Sequence, residues 1–499
     1  KLSNLIPDGG IWMNTQRPEW NDANNALVGN GVSVVTLFHL RRYLTFVQRL
    51  LEHGVEARVP VSSNVVAWLR RLEGVLTEVR PGHDARPRSA VERKRIMDAL
   101  GAAFSEYRER VYAHGLRGRE SFPVAEASRF CRLAIEHVDH SLRGSRREDG
   151  LVHSYQLLEI SRDRQSATLC PLEEMLEGQV AALSSGLFSP TEAVALLERL
   201  FTSRLYRADQ NSFMLYPEKQ LPPFMHKNAV PDERVVAVPL LVELLSALEH
   251  SILERDIAGV YRFQGDLRHA ADLGGALDRL AQQEPWAAAV TRDRQAVLEL
   301  FESVFRHHAF TGRSGTMYAY EGIGSVYWHM VGKLLLAVRE RVRDAVRDGT
   351  PGNVREELAK LYERVRGGLG FRKTVGEYGA FPTDPYSHTP RHAGAQQPGM
   401  TGQVKEEILT RLGELGVEIE GGLVSFRPTL LLREEFLRAS GEYRLPELDG
   451  RLRALEVPAG SLAFSFCQVP VIYTRVPLEA SIRIALRNGT TTTIPCDRL

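Results

Sequence analysis

Gln16-Arg17-Pro18-Glu19-Trp20-Asn21-Asp22-Ala23-Asn24-Asn25-Ala26-Leu27-Val28-Gly29 sets an aromatic, two carboxylates and four side-chain amides into a segment with neither helical nor alternating period. Such a composition suits a loop that handles sugars. Trp20 offers a flat face for a pyranose ring, and the amides of Asn21, Asn24 and Asn25 can bond to hydroxyls. Glu19 or Asp22 can deliver a proton to a glycosidic oxygen. Residues 32–51 then carry apolar side chains at helical spacing, so the loop stands at a helix start. The same residues would also suit an Asn/Asp-rich helix entry that only caps.

Outward from that loop the chain runs to 499 residues, 43% hydrophobic and 25% charged, enough for one large domain and a smaller one. Its 63 basic and 62 acidic residues leave a net charge of +1, so no broad field for nucleic acid or anionic membrane is expected, and an anionic substrate must meet a local site. Cys131, Cys170, Cys467 and Cys496 are far apart without CxxC spacing, which argues against a zinc site or disulfide framework and suggests buried thiols in a cytoplasmic protein. No apolar run reaches the length of a membrane span and no signal peptide precedes the loop. Because the chain starts at Lys1 with its main loop close behind, a trimmed fragment is expected.

Helical spacing recurs over residues 32–51, 65–79, 90–112, 126–142, 172–183, 190–205, 235–255, 292–307, 324–346 and 353–366. Long Gly/Pro/aromatic loops over 209–230 and 367–401 interrupt this helix-rich body, and loops of that length inside a compact domain are usually functional. Beyond Pro428 the pattern turns to strands at 461–469, 471–474 and 480–486, with Asn488-Gly489 as a turn before 490–494. No fixed-period repeat is present, which favours a closed helical barrel over a solenoid.

Three further stretches carry polar chemistry. Ser314 to His329 combines glycines, Tyr318, Tyr320, Glu321, Tyr327, Trp328 and His329 ahead of an apolar helix, as a ligand wall would. Tyr378 to His392 holds His388, Arg391 and His392, able to meet an anion or sugar hydroxyls. Pro385 and Pro390 prevent the helix that a metal-binding His388/His392 pair would need, so no metal is expected. Gln396-Gln397-Pro398-Gly399-Met400-Thr401-Gly402-Gln403 opens a helix over 404–415, whose first amides and Thr hydroxyl suit phosphate. His329 would equally serve as a core histidine, and Thr401 as a cap. Glu173-Glu174 and Glu406-Glu407 read as solvated helix faces. Trp12, Trp20 and Trp328 are candidate sugar platforms.

In this order, Trp20-Asn21-Asp22 followed by Asn24 and Val28-Gly29 resembles the acid loop of the cellobiose phosphorylase family of inverting glycoside phosphorylases. Glu321-Gly322-Ile323-Gly324-Ser325-Val326-Tyr327-Trp328-His329 is similar to the family's Glu-Asn-Gly-Gly-x-Tyr-x-His stretch with one extra residue. Tyr386-Ser387-His388 followed by Thr401-Gly402 is similar to its Tyr-Ser…Thr-Gly stretch. Gly421-Gly422-Leu423 and Pro428 resemble the strand that follows the last barrel helix. Ala23 stands where the family has Gly, and Gln403 where it has a small residue. The likeness touches residues 1–430 as ordered islands; 231–313 does not match and reads as an insertion.

The resemblance implies a mainly α protein: an (α/α)6 barrel over 1–430, its first helices expected ahead of Lys1, and a small C-terminal β-sandwich domain over 431–499. It implies that a β-glucosidic bond in an oligosaccharide is cleaved by inverting phosphorolysis. Asp22 would be the general acid, with Glu19 beside it, and inorganic phosphate the nucleophile and only co-substrate. His329, Thr401 and Gly402 would hold the phosphate. Arg17, Trp20, Asn21, Asn25, Glu321, Tyr327, His388 and Gln397 would bind the sugar. One acid then suffices, because phosphate replaces the second catalytic carboxylate. The alternatives are an inverting hydrolase on the same barrel, with Glu321, Glu377 or Asp384 as base roughly 6.5–9.5 Å from the acid, and a non-catalytic glycan-binding or scaffold subunit. A homodimer fits each of them.

Overall fold

A computed structural model describes residues 1–14, 27–217, 223–306, 326–369 and 403–495, apart from 53, 55–56, 82–86, 448, 477–480 and 487, together with the backbone of the strand His388–Thr389. The chain divides into two compact units, Lys1–Gln403 and Val404–Leu499.

The first unit begins with strands the sequence did not announce. Leu5–Ile6, Gly10–Trp12, Gly31–Ser33, Tyr155–Ile160 and Ala167–Pro171 pair in that order into a five-stranded antiparallel sheet. The first three are two or three residues long, too short to show alternation. Ile6, Val32, Leu158 and Ala167 form their common core, with Met97 of the helix Ala90–His114 packed against it. Beside that core, Asp8 takes a left-handed backbone at φ 60 and is ringed by Arg88 at 3.1 Å, His140 at 3.4 Å and Arg93 at 3.6 Å. Arg93 also donates to the carbonyls of Pro7 and Ala167, both at 2.9 Å, fixing the sheet to its helix.

Three helices, Val34–Glu52, Leu176–Ser184 and Trp328–Arg347, lie side by side and parallel. Their direction follows from contacts at two levels along them. Near the starts, Ser154 accepts from Val34 N at 3.0 Å through its carbonyl and from Gly178 N at 3.1 Å through its hydroxyl. Leu176 N donates to Leu215 O, and neighbouring Met214 bridges Val326. At the end of the middle helix, Arg41 and Arg42 of the first donate to the carbonyls of Ser185 and Ser184, and Arg42 forks onto Glu340 of the third at 2.7 and 2.8 Å. Val124–Arg143, Pro190–Thr202 and Gly352–Gly367 back this layer. The middle helix is buried from Leu176 to Leu183, which its small residues allow. At Gly178 a Cβ would stand 2.2 Å from Ser154 Oγ, so only glycine permits the approach.

Residues 230–305 hold a core of their own, made of Leu240, Leu244, Phe263, Leu277, Phe301 and their neighbours. Here the helix expected over 235–255 is corrected. It is two short helices, Asp232–Val236 and Pro239–Ser246, followed by the strand Leu253–Arg255. Pro239 has no N–H to continue the first helix and a φ suited to starting the second. Leu253–Arg255 pairs with Tyr261–Phe263, and the helices Ala270–Ala281 and Ala287–Phe305 complete the fold.

In the second unit the helix Gln403–Glu414 leads into four β-hairpins. Leu415, Val417 and Leu462 are the buried centre, flanked by Phe426, Phe464 and Tyr473. The strand expected over 461–469 is corrected too: it ends at Phe466, and Cys467 (φ 47) and Gln468 (φ 64) make a two-residue turn into Val469–Thr474. Cys467 is therefore exposed rather than a buried thiol, whereas Cys131 is buried. Two carboxylates expected on solvated helix faces are buried instead. Glu174 is held by Arg147 and Arg204, both at 3.3 Å, and Glu406 is only 4% exposed.

Candidate functional site

The residues on either side of the Asp22 loop are tied together. Met13 N donates to Gly31 O at 2.9 Å, Gly29 N to Met13 O at 2.7 Å, and Trp12 Nε1 to Gly29 O at 2.9 Å. Gly29 sits at φ 91, and at Gly31 a Cβ would lie 2.4 Å from Leu27 Cβ, so both glycines are required for this stem. Immediately after it, Ser33 Oγ accepts from Thr36 N at 3.0 Å and caps the Val34–Glu52 helix. The loop thus springs from the start of the first parallel helix.

The glycine- and aromatic-rich stretch before residue 329 arrives at the start of the third. Val326–Tyr327 pairs with His388–Thr389, placing Tyr327 opposite His388. On the other side Met214 bridges Val326, continuing from the hairpin of Tyr206–Arg207 and Ser212–Phe213. His329 occupies the first turn of the Trp328–Arg347 helix, half-buried, with its Nδ1 3.5 Å from Tyr327 Oη, at the outer limit of a hydrogen bond. Trp328 is 1% exposed and is core, which corrects its assignment as a sugar platform. Trp12 is partly buried against the sheet core. Asp22, Glu19, Arg17, Trp20, Asn21, Asn25, Glu321, Gln397, Thr401 and Gly402 lie outside the described residues, as does the His388 side chain.

The start of the middle helix adds a carboxylate that no motif marked. Glu177, 8% exposed and in the first turn, accepts from Tyr155 Oη at 2.8 Å, and Tyr155 pairs across the sheet with Ser33. A helix start favours that negative charge. One turn further in, His39 of the first helix and Lys333 of the third share the same neighbourhood. His39 is an exposed side chain with protein packed around it. Burial, then the charges of Lys333 and Arg42, pull its imidazole below the ordinary value. Arg42 itself is held above its ordinary value by its hydrogen bonds to Glu340, against the opposing cost of burial. Helix starts of this kind favour negative charge.

The separate core at 230–305 gives the decisive comparison. Residues 221–308 match the family model of GH149 phosphorylase insertion domain 2. The match supports a glycoside phosphorylase and an enzyme acting on glycosides, without singling out the cellobiose phosphorylase branch. No curated protein matches the chain. The insertion domain covers most of 231–313, the stretch where the sequence resemblance lapsed. It is fastened at its entry by Asn228, whose side chain donates to Phe263 O at 2.7 Å and accepts from Phe263 N at 2.9 Å. Asp293 accepts from Leu240 N at 2.7 Å and so fixes the start of the Pro239–Ser246 helix. Among the described residues no helix is long and apolar enough to cross a membrane.

Proposed function

We propose that this protein cleaves a β-glucosidic bond in an oligosaccharide by inverting phosphorolysis, with Asp22 as general acid and inorganic phosphate as nucleophile. The observation that carries this is the match of residues 221–308 to a phosphorylase insertion domain. The parallel helices support it. Their starts bring the stem of the Asp22 loop, Glu177 and His329 to one end of the layer, as an (α/α)6 barrel would at its mouth. Helix starts and His329 favour a phosphate dianion there. The acid protonates the leaving oxygen while phosphate attacks the anomeric carbon from the opposite face, giving a sugar 1-phosphate of inverted configuration. Thr401 and Gly402 complete the phosphate cradle in this scheme.

Incubation with β-linked gluco-oligosaccharides, with and without phosphate, tests it. Phosphate-dependent release of sugar 1-phosphate, abolished in Asp22→Asn, is the expected result. Phosphate-independent release of reducing sugar would replace phosphorolysis with hydrolysis, and full activity in Asp22→Asn would remove the acid assignment.

A further inference from the structure

We propose that Arg341 and Arg41 form an oxyanion site over Gly186, at the carbonyl end of the middle helix, and that it takes the phosphate group of inorganic phosphate or of a sugar phosphate. The site does not rest on the phosphorylase reading. It stands a helix length away, roughly 13 Å along Leu176–Ser184, from the helix starts where that reading puts phosphate. Gly186 is exposed and takes φ 71. Beyond its chain neighbours, the three heavy atoms nearest to where a side chain would begin are all guanidinium nitrogens: Arg41 Nη1 at 3.5 Å, Arg341 Nη1 at 3.7 Å and Arg341 Nη2 at 4.0 Å. Glycine leaves that point open, so donors from the first and the third helix converge beside an exposed residue.

Arg341 is the side chain with bonds to spare. It is 8% exposed, yet it uses only Nη2, on Asp344 at 2.7 Å; neither its Nε nor its Nη1 has a hydrogen-bond partner among the described residues. A buried guanidinium with open donors is costly. Arg41 is bonded to Asp139 at 2.6 Å and to Ser185 O at 2.8 Å, and Arg42 to Glu340 and Ser184 O, so the carbonyl end of the helix is answered without Arg341. Arg41 Nη1 carries two N–H groups, and one remains after Ser185. Charge points the same way. Arg41, Arg42, Arg341 and Arg343 meet Asp139, Glu340 and Asp344, which leaves one positive charge over. Arg347, 3.5 Å from Asp344 and paired with Asp348 at 3.0 Å, does not alter that balance. Burial above all, with Arg343 and Arg42 adding to it, holds the Arg341 guanidinium below its ordinary value against the pull of Asp344 and Glu340. An oxyanion over Gly186 supplies the missing charge and accepts from Nη1 of both arginines.

The test is calorimetric titration of the full chain, of Arg341→Met and of Gly186→Asn with inorganic phosphate and with glucose 1-phosphate, against sodium chloride of equal ionic strength. Asn tolerates a positive φ and fills the open point while leaving both arginines in place. Loss of a charge-assisted hydrogen bond should weaken binding roughly tenfold to a hundredfold in Arg341→Met, and Gly186→Asn should abolish it. The titrant that loses more affinity in the variants is the ligand. A binding step that persists in both variants belongs to the helix starts, and the step that disappears belongs to this site. Unaltered titrations in Gly186→Asn would overturn the proposal, as would no binding to the wild type or a response matched by chloride. If Arg341→Met fails to fold, Gly186→Asn decides alone. Failure to make sugar 1-phosphate from oligosaccharide and phosphate sinks the phosphorylase reading and not this site.

Discussion

The insertion domain and the parallel helix layer both bury apolar cores, and the layer adds polar contacts from helix to helix. The first is built on Phe263, Phe301 and Phe305, with ring centroids 4.7 to 6.1 Å apart, and on the leucines of its helices. The second is laced by polar contacts: Arg41 with Asp139, Arg42 with Glu340, Tyr155 with Glu177 and Ser154 with Gly178. Apolar packing has no direction and yields a unit that stands on its own core. Hydrogen-bonded contacts fix helix starts in register, which a site needs.

The largest effect should come from the insertion core. Phe301→Ala removes a side chain at 0% exposure and should cost about 3–5 kcal/mol. Calorimetry should show an early transition for this region while the layer melts as before; a single transition shifted as a whole would erase the distinction between the two regions. Next, Gly178→Ala drives a methyl group against Ser154 and should cost about 1–3 kcal/mol. Because it parts the middle helix from the start of the first, turnover should fall more than stability alone explains, a split visible by comparing kcat with the melting curve.

Acid should loosen the layer before the insertion domain. Burial holds His137, whose Nε2 lies 2.9 Å from Leu76 O, and His153 at about 4, against an ordinary 6.5. Folded-state values below the unfolded ones mean that the unfolded chain binds more protons in between. Stability is complete above pH 6.5, declines as pH falls toward 4 and levels off below that. Melting temperature measured across this window, with His137→Phe as the flatter control, checks the sign. Smallest of all should be Arg162→Ala, which removes a 3.3 Å ion pair between exposed side chains of the sheet's last hairpin and Glu299 of the insertion domain. A change under about 1 kcal/mol is expected, and a larger one would show the insertion leaning on the sheet.

Much of the helical body was legible because its period is local. Ser89 with Glu92 and Ser189 with Glu192 even announce two helix starts as capping boxes. The Asn488-Gly489 turn was legible for the same reason: Gly489 takes φ 84 and Asn488 accepts from Thr490 N at 3.0 Å. The N-terminal sheet was hidden, since strands of two or three residues have no period of their own and its longer half joins only across more than a hundred residues, where Gly31 stands opposite Leu157. Glu177, His39 and Lys333 were hidden for a related reason. Each is an ordinary residue on a helix, and its surroundings come from the packing of other helices against it.

The sequence by itself determined where most of the helices run, and that the Asp22 loop and the stretch before His329 each lead into one. Those are properties of neighbouring residues, settled by backbone sterics and apolar spacing. Tertiary structure alone decided that these helices lie parallel with their starts together, that Glu174 and Glu406 are buried, and that Trp328 is core. These depend on which surfaces meet, and burial and electrostatic environment belong to the meeting rather than to the residue.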